Sequence, residues 1–391
     1  MAGWLLLTWD GAGNQGPMTG LARRLEARGH TVTVAGHRWQ RRRFGEAGLA
    51  FRTLPRADAG HPAAPPPEGW LPALVDAVWA CPAHLADVPG LLAGGAYDGV
   101  VADCLMFGAL AALEASSTPA AVLVHSAPGA LCPPGGPMDR MLLPAVNAVR
   151  GRAGRPPIGS LWDAWTPFLP LCTSIRELDP LAGQAPPSFD YVGPVPDEQQ
   201  PSGTRLPWAA DDTRPLVVAG FSTGPAWDQT SRIQRTLDAL ADGRHRALVT
   251  SATTDVAGVR VPGDAVVLPW VPHAEVLPHA AAVVTHAGHG TVTAALAHGV
   301  PIVALPNPAA DQPALARRTA ELGAGIALDG ESAGPEEIAA AVRTVIEDPS
   351  YRAAATALAG RLRAAPGPEY AAARLERHAR APGRAGEAFR P

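Results

Sequence analysis

Lysine is missing altogether: each of the 32 basic residues in this 391-residue chain is arginine. That excludes a Walker-type phosphate lysine, a lysine Schiff base and an amine nucleophile. Charged residues are few, at 17%, and 36 acidic side chains leave a formal net charge of -4. No global positive field exists to collect a nucleic-acid backbone or an anionic membrane surface. Four cysteines, Cys81, Cys104, Cys132 and Cys172, are spaced too widely for a CxxC pair, which argues against redox and zinc motifs and for buried thiols in a reducing cytoplasm. No segment reaches the ~18–20 uninterrupted apolar residues of a membrane span. The apolar start, Trp4–Thr8, is about five residues long and is followed by Asp10, so it lacks the length and basic flank of a signal peptide. A cytoplasmic protein is expected. The surplus of Arg, Ala, Gly and Pro reads as the imprint of a GC-rich genome rather than of function.

What is present is rhythm. Trp4–Thr8 is an apolar strand, Asp10-Gly11-Ala12-Gly13-Asn14 turns, Leu21–Ala27 is helical, Gly29 caps it and Thr31–Ala35 alternates. The same βαβ pattern returns at Tyr97–Ala102, Leu105–Ala115 and Ala120–His125, as in a parallel sheet covered on both faces. Pro55–Pro67 and Ser126–Pro137 read as long surface loops, and Val192–Pro215 as a linker. Strand-like runs resume at Leu216–Phe221, Arg246–Thr250, Val266–Pro269, Ala281–Thr285 and Ile302–Leu305, with a helix over Ala226–Ala241 and another over Glu369–Ala379. The expected division is 1–200 for a first domain, 201–368 for a second domain, and 369–391 for a terminal helix and tail packing back on the first. Arg38–Arg43 reads as a solvated helix face.

The most informative stretch runs from Trp270 to Gln312. Val283-Val284-Thr285 ends a buried strand, and His286-Ala287-Gly288-His289-Gly290-Thr291 turns into a helix. Small residues there let backbone N–H groups approach an anion, and the helix dipole favours it. The flat face of Trp270 suits base stacking, and Asp311-Gln312 could accept from vicinal hydroxyls. A metal site on His286 and His289 is disfavoured, because Gly288 and Gly290 break the helix between them and no carboxylate lies nearby.

The order W…HxGxGT…GVP…P…DQ resembles the donor-binding signature of GT-B glycosyltransferases that use nucleotide sugars, in their bacterial natural-product branch, and the likeness runs over essentially the whole chain. The resemblance implies an α/β GT-B fold, two Rossmann-like doubly wound domains facing across a cleft. It implies that Trp270 stacks on the base while the Val271 backbone meets its edge, and that His286, Gly288, His289, Gly290 and Thr291 surround the diphosphate. Asp311 and Gln312 would hold sugar hydroxyls, and Ser222 and Thr223 would touch phosphate. The acidic residue with which plant-type relatives grip both ribose hydroxyls falls on Ala294, which suits TDP-sugars better than UDP-sugars. The implied reaction is inverting and metal-independent, with the nucleotide sugar as co-substrate and no cofactor.

Most of the family carries GHxxP after the first strand, whose His is the base oriented by an Asp. Here the run is Gly13-Asn14-Gln15-Gly16-Pro17, so the base position is Asn14, which takes no proton at neutral pH, while Asp103 is present. Three readings stay open. Asp10 or Asp103 takes the proton directly, which suits a phenol or an acidic carbon and so O- or C-glycosylation; or His37 or His125 serves; or no base acts, as in a catalytically silent nucleotide-binding homologue. Trp9, Trp79, Phe107, Trp162 and Trp165 are candidates for apolar acceptor surface, with His125 beside them. The partners expected are a nucleotide sugar and an aglycone, with no nucleic acid, in a monomer or homodimer.

Overall fold

The computed structural model describes residues 1–11, 13–62, 69–197, 202–209, 211–221, 228–308 and 310–380. Two units divide the chain: Met1–Thr173 with Leu181–Asp197 and the segment from Pro366 form the first, and Ser174–Pro180 with 198–365 the second. These boundaries lie within three residues of 200 and 368, and residues 174–180 join the second unit because the 3-10 turn Arg176–Leu178 buries Leu178 in its core.

The first unit is built on a parallel sheet of β1 (Gly3–Leu7), β2 (Thr31–Gly36), β3 (Ala50–Thr53), β4 (Gly99–Asp103), β5 (Ala120–Val124), β6 (Leu169–Cys172) and β7 (Asp190–Tyr191), in the order β3-β2-β1-β4-β5-β6-β7. Every residue of β1, β4 and β5 is buried, as continuous apolar runs require when helices cover both faces. The second unit repeats the plan with β8 (Leu216–Gly220), β9 (Arg246–Thr250), β10 (Ala265–Leu268), β11 (Ala280–Thr285), β12 (Ile302–Ala304) and β13 (Gly325–Ala327), in the order β10-β9-β8-β11-β12-β13. Both are doubly wound sheets of Rossmann type, whose ligands bind beyond the strand C-termini where the winding reverses. Those switch points fall between β1 and β4 and between β8 and β11. Register brings the strand ends level: Leu7 pairs with Ala102, Asp103 with Leu123, and Thr285 with Gly220.

The helix after β1 begins at Gln15, well before the expected Leu21. Gly16-Pro17 suggests a turn, but a first-turn proline gives up an N–H that has no intrahelical partner anyway. Pro55–Gly60 is a helix rather than loop. Its first-turn N–H groups at Arg56 and Ala57 donate to the buried Asp87 carboxylate at 3.0 and 2.9 Å, a cap supplied from a remote helix. Residues 63–68 lie outside the described set. Pro128–Leu131 is likewise helical, and a long helix, Pro137–Arg152, follows. Arg38, Arg41, Arg42 and Arg43 are exposed while Phe44 turns inward.

The terminal helix, Gly367–Arg380, packs on the Gln15–Ala27 helix within the first unit. Ala371, Ala372 and Leu375 enter the core of Leu21 and Leu25, and Arg24–Glu369 and Arg28–Glu376 pair at 2.7 Å. Among the described residues no helix is long and apolar enough to cross a membrane.

Candidate active site

The switch point of the first sheet holds a buried polar cluster centred on Asp103, the last residue of β4. Its Oδ1 accepts from Trp9 Nε1 and from the Leu105 backbone N–H, both at 3.0 Å. Its Oδ2 accepts from Asn14 Nδ2 at 3.1 Å and pairs with His125 Nδ1 at 2.9 Å. Burial pushes the Asp103 carboxyl up, but the His125 charge and the donated hydrogen bonds outweigh it and hold the group below the usual carboxylate range. For His125 the balance is the mirror image: burial pulls the imidazole down, and Asp103 with Cys104 raises it well above 6.5. The result is an ion pair at neutral pH.

Asp103, one of the carboxylates expected as a base, has no exposed surface, and both its oxygens are filled by N–H donors. Asn14 is buried; its Nδ2 also faces Thr8 Oγ1 and the Trp9 carbonyl at 3.2 and 3.0 Å, and its Oδ1 accepts from the Gly11 N–H. Asp10 is exposed and accepts from the Gln15 side-chain amide. His37 is fully buried, held down to about 4 chiefly by burial, and stacks on Trp39 at 4.9 Å, away from the role of a solvent-facing base.

The donor atoms of Asp103, Cys104 and His125 lie within 4.8 Å of one another. Burial pushes the Cys104 thiol up to about 12, and the carboxylate is saturated by N–H groups, so the trio is a hydrogen-bonded cluster rather than a ligand set.

The aromatic side chains expected as acceptor surface are buried. Trp9, Trp79, Phe107, Trp162 and Trp165 are at most 7% exposed and form part of one core. Trp9 meets Trp79 edge-on at 5.7 Å, and Trp165 Nε1 donates to the Cys104 carbonyl at 2.9 Å. Helical and strand spacing put these rings inside, and their size filled the core. Among the described residues of this unit the exposed ring is Trp39, in contact with His37, His61 and, beyond it, Trp70.

In the second unit the donor-type turn follows β11. Gly288 caps the helix His289–Ala297, and the first i to i−4 bond runs from Val292 N to Gly288 O at 3.0 Å. The N–H groups of Gly290 and Thr291 therefore have no intrahelical acceptor, and Gly290 faces open space. The His286 ring folds over Gly288: a Cβ there would lie 2.4 Å from Nε2. Ala287, between them, sits in the left-handed region at φ 62°, a strained conformation of the kind that gathers at ligand turns. Burial, resisted by a bond to the Gly220 carbonyl, holds His286 down to about 4, so the imidazole is neutral. His289 is buried and Thr291 half-buried. Ala294 is on the same helix.

Trp270 is 49% exposed beside the buried Val271. Asp311 opens the helix Gln312–Glu321 after Ala310, another left-handed residue at φ 55°. Gln312 is buried with its oxygen accepting from Asn307 N at 3.0 Å. A network that sequence reasoning missed stands behind that loop: the Arg232 guanidinium donates to Gln229, Asn307, Pro306 O and Gly330 O. Nothing in the spacing marks Arg232, which reads as one more helix-surface cation. Ser222 and Thr223 lie outside the described residues.

Residues 234–377 match the model of the erythromycin biosynthesis protein CIII-like C-terminal domain. The 3-alpha-mycarosylerythronolide B desosaminyl transferase of Saccharopolyspora erythraea is 35% identical over 185 residues, 46% of this chain and 41% of that protein. UDP-glycosyltransferase 2 of Phaeomoniella chlamydospora is 32% identical over 195 residues, 47% of this chain and 42% of that protein. The chain thus spans less than half the length of either relative. The solved glycosyltransferase VinC, in complex with DTDP, matches with a TM-score of 0.72 at 21% identity over 96% of this chain and 99% of that one. Residues 234–377, most of them in the second unit, are thus similar to that C-terminal domain, and the chain as a whole shares the GT-B fold of the solved glycosyltransferase.

Proposed function

We propose that the protein is an inverting glycosyltransferase that moves a hexose or deoxyhexose from a nucleotide sugar, TDP before UDP, to a phenolic oxygen or carbon nucleophile of a natural-product aglycone. The turn from Thr285 to Thr291 carries this reading. The helix-start N–H groups of Gly290 and Thr291, the adjoining dipole and His286 provide a cradle for a diphosphate, and they meet the leaving-group charge without a metal. The half-exposed Trp270 supplies a stacking face, and Asp311 with Gln312 stands at the head of a helix facing the sugar hydroxyls. Alanine at 294 offers no carboxylate to a second ribose hydroxyl, which favours a deoxyribose. The DTDP complex of VinC supports the same choice, while the UDP-glycosyltransferase relative keeps UDP-sugars as the competitor. No cofactor enters this scheme.

The test is calorimetric titration with TDP, UDP and GDP, followed by mass-spectrometric detection of transfer from TDP-glucose to 4-methylumbelliferone and other phenols. Tightest binding of TDP together with a glycosylated product is expected. Absence of binding to any nucleotide overturns the reading. Asn14 at the expected base position favours one rival, a silent nucleotide-binding partner protein, whose mark is intact TDP binding with no product from any acceptor.

A further inference from the structure

We propose that His125, held by Asp103, is the general base that activates the acceptor, doing the work that Asn14 cannot. The inference rests on the transferase reading above and names the proton acceptor that reading lacks. His125 directly follows β5, two residues beyond Leu123, which register sets level with Asp103 at the end of β4, beside the switch point of the first sheet. The Asp103 bond at 2.9 Å and the Cys104 Sγ contact at 3.5 Å both use Nδ1. Nε2 is thus the ring nitrogen with no protein partner among the described residues, and the side chain keeps 12% of its surface exposed against 0% for Asp103. One nitrogen anchored on a buried carboxylate and the other presented outward is the arrangement that fixes a tautomer: Nδ1–H donates, and Nε2 carries the lone pair.

Asn14 explains why the task passes to another ring. Its amide already donates to Asp103 Oδ2, the oxygen that His125 shares, so the carboxylate is braced by a group with no basic nitrogen. Asp103 is further fixed by Trp9 and the Leu105 N–H, which leaves the imidazole one orientation. Asp103 is a positioning residue; His125 is the group that meets the substrate.

In the step itself the acceptor hydroxyl gives its proton to Nε2, its electron pair forms the bond to the anomeric carbon, and the bond from that carbon to the diphosphate oxygen breaks, its pair leaving with the nucleotide. The proton passes to solvent from Nε2 afterwards. The charged and titratable groups facing His125 are Asp103 and Cys104 on the β4 side, with the Cys132 thiol behind Cys104. Burial keeps the Cys104 thiol protonated, whereas Asp103 is ionised near neutral pH, and its charge favours the imidazolium. The basic form therefore becomes populated on the alkaline side of 6.5.

Two measurements on the full chain decide the matter. NMR titration of histidine ring nitrogens should give His125 an apparent pKa above 6.5, an Nδ1–H neutral tautomer, and a downward shift in Asp103→Asn. A pKa unmoved by Asp103→Asn, or an Nε2–H tautomer, overturns the proposal whether or not an acceptor is in hand. With TDP-glucose and a series of substituted phenols, His125→Gln should lower kcat by about 10²- to 10⁴-fold with KM and TDP affinity little changed. The loss should shrink as the phenol becomes more acidic, the alkaline-rising limb of the pH profile should vanish, and imidazole should partly restore His125→Gly. Equal losses across the phenol series, with no rescue, assign His125 a structural role and refute the proposal. Failure of the wild-type chain to transfer sugar to any phenol removes the transferase reading itself, a result distinct from a transferase indifferent to His125.

Discussion

Gly288→Ala tests the proposed contact between His286 and a diphosphate without disturbing the fold. The backbone at this residue, φ −63° and ψ 140°, is open to any side chain, so the substitution adds no backbone strain. An added Cβ would meet His286 Nε2 at 2.4 Å and Cε1 and Cδ2 at 3.1 and 3.2 Å, whereas ordinary contact begins at 3.4 Å, so the ring must retreat by about 1 Å. The far end of a side chain yields more easily than the turn, and the displaced imidazole no longer points at the phosphate position. Losing one hydrogen bond to a charged group costs ~1.5–3 kcal/mol, which is roughly 10- to 150-fold in affinity. Calorimetry with TDP should show that loss, with a thermal midpoint within a few degrees of wild type. His286→Ala should weaken binding to a similar extent, and the double variant little further, since both act through one ring. Wild-type TDP affinity in Gly288→Ala would falsify the reasoning, because the ring would then be either already clear of the ligand or not a ligand at all.

Other consequences are open to measurement. Trp270→Ala should weaken TDP binding by ~1–3 kcal/mol with no loss of thermal stability, since the ring is 49% exposed; unchanged affinity rules out base stacking. His286 is neutral when unliganded, so diphosphate charge should draw a proton onto it, and binding enthalpies near pH 6 should depend on the ionisation enthalpy of the buffer; buffer independence refutes this. His37 and His84, held down to about 4 and about 3 mainly by burial, bind protons in the unfolded chain near 6.5 but not in the folded one, so the stability they permit is full above that pH and lost below it. His125 works in the opposite sense, contributing below pH 6.5 and losing its contribution in alkali. Urea midpoints should accordingly drop between pH 7 and 5, less steeply in His84→Leu; parallel slopes in the two proteins contradict the assignment. Arg150→Met strands Glu114, its buried ion-pair partner, and should cost ~3–5 kcal/mol in urea unfolding, with most of it recovered by adding Glu114→Leu; a single variant as stable as wild type refutes the pairing.

Where pattern and burial coincide, the chain is readable. Strands such as Arg246–Thr250 stand out because a parallel sheet buried on both faces leaves no polar face to interrupt the run. The turn at Gly288 is readable because close approach demands small residues in sequence order. What escapes is remote chemistry. Asp87 caps a helix from far along the chain, so Pro55–Gly60 looked like loop. The aromatic rings were legible as large apolar groups, yet spacing does not say whether such a group lines a pocket or fills a core. Asp103 was recognisable by its position after Val101-Ala102, but its saturation by Trp9, Asn14, Leu105 and His125 arises only when three strand ends come level. The pairing of Arg232 with Asn307 is invisible for the same reason.

The terminal helix has a bearing on biosynthesis. Ala371, Ala372 and Leu375 complete the apolar contacts of Leu21 and Leu25, but the ribosome delivers them only after residues 198–365. At ordinary elongation rates of roughly 5–20 residues per second, the first unit waits on the order of ten to thirty seconds with that face of its first helix uncovered. The second unit, contiguous but for a seven-residue turn made earlier, Ser174–Pro180, has all its parts before the first one does. Order of synthesis and order of completion are therefore reversed in this chain, and a nascent chain arrested before Pro366 would carry a finished second unit behind an unfinished first.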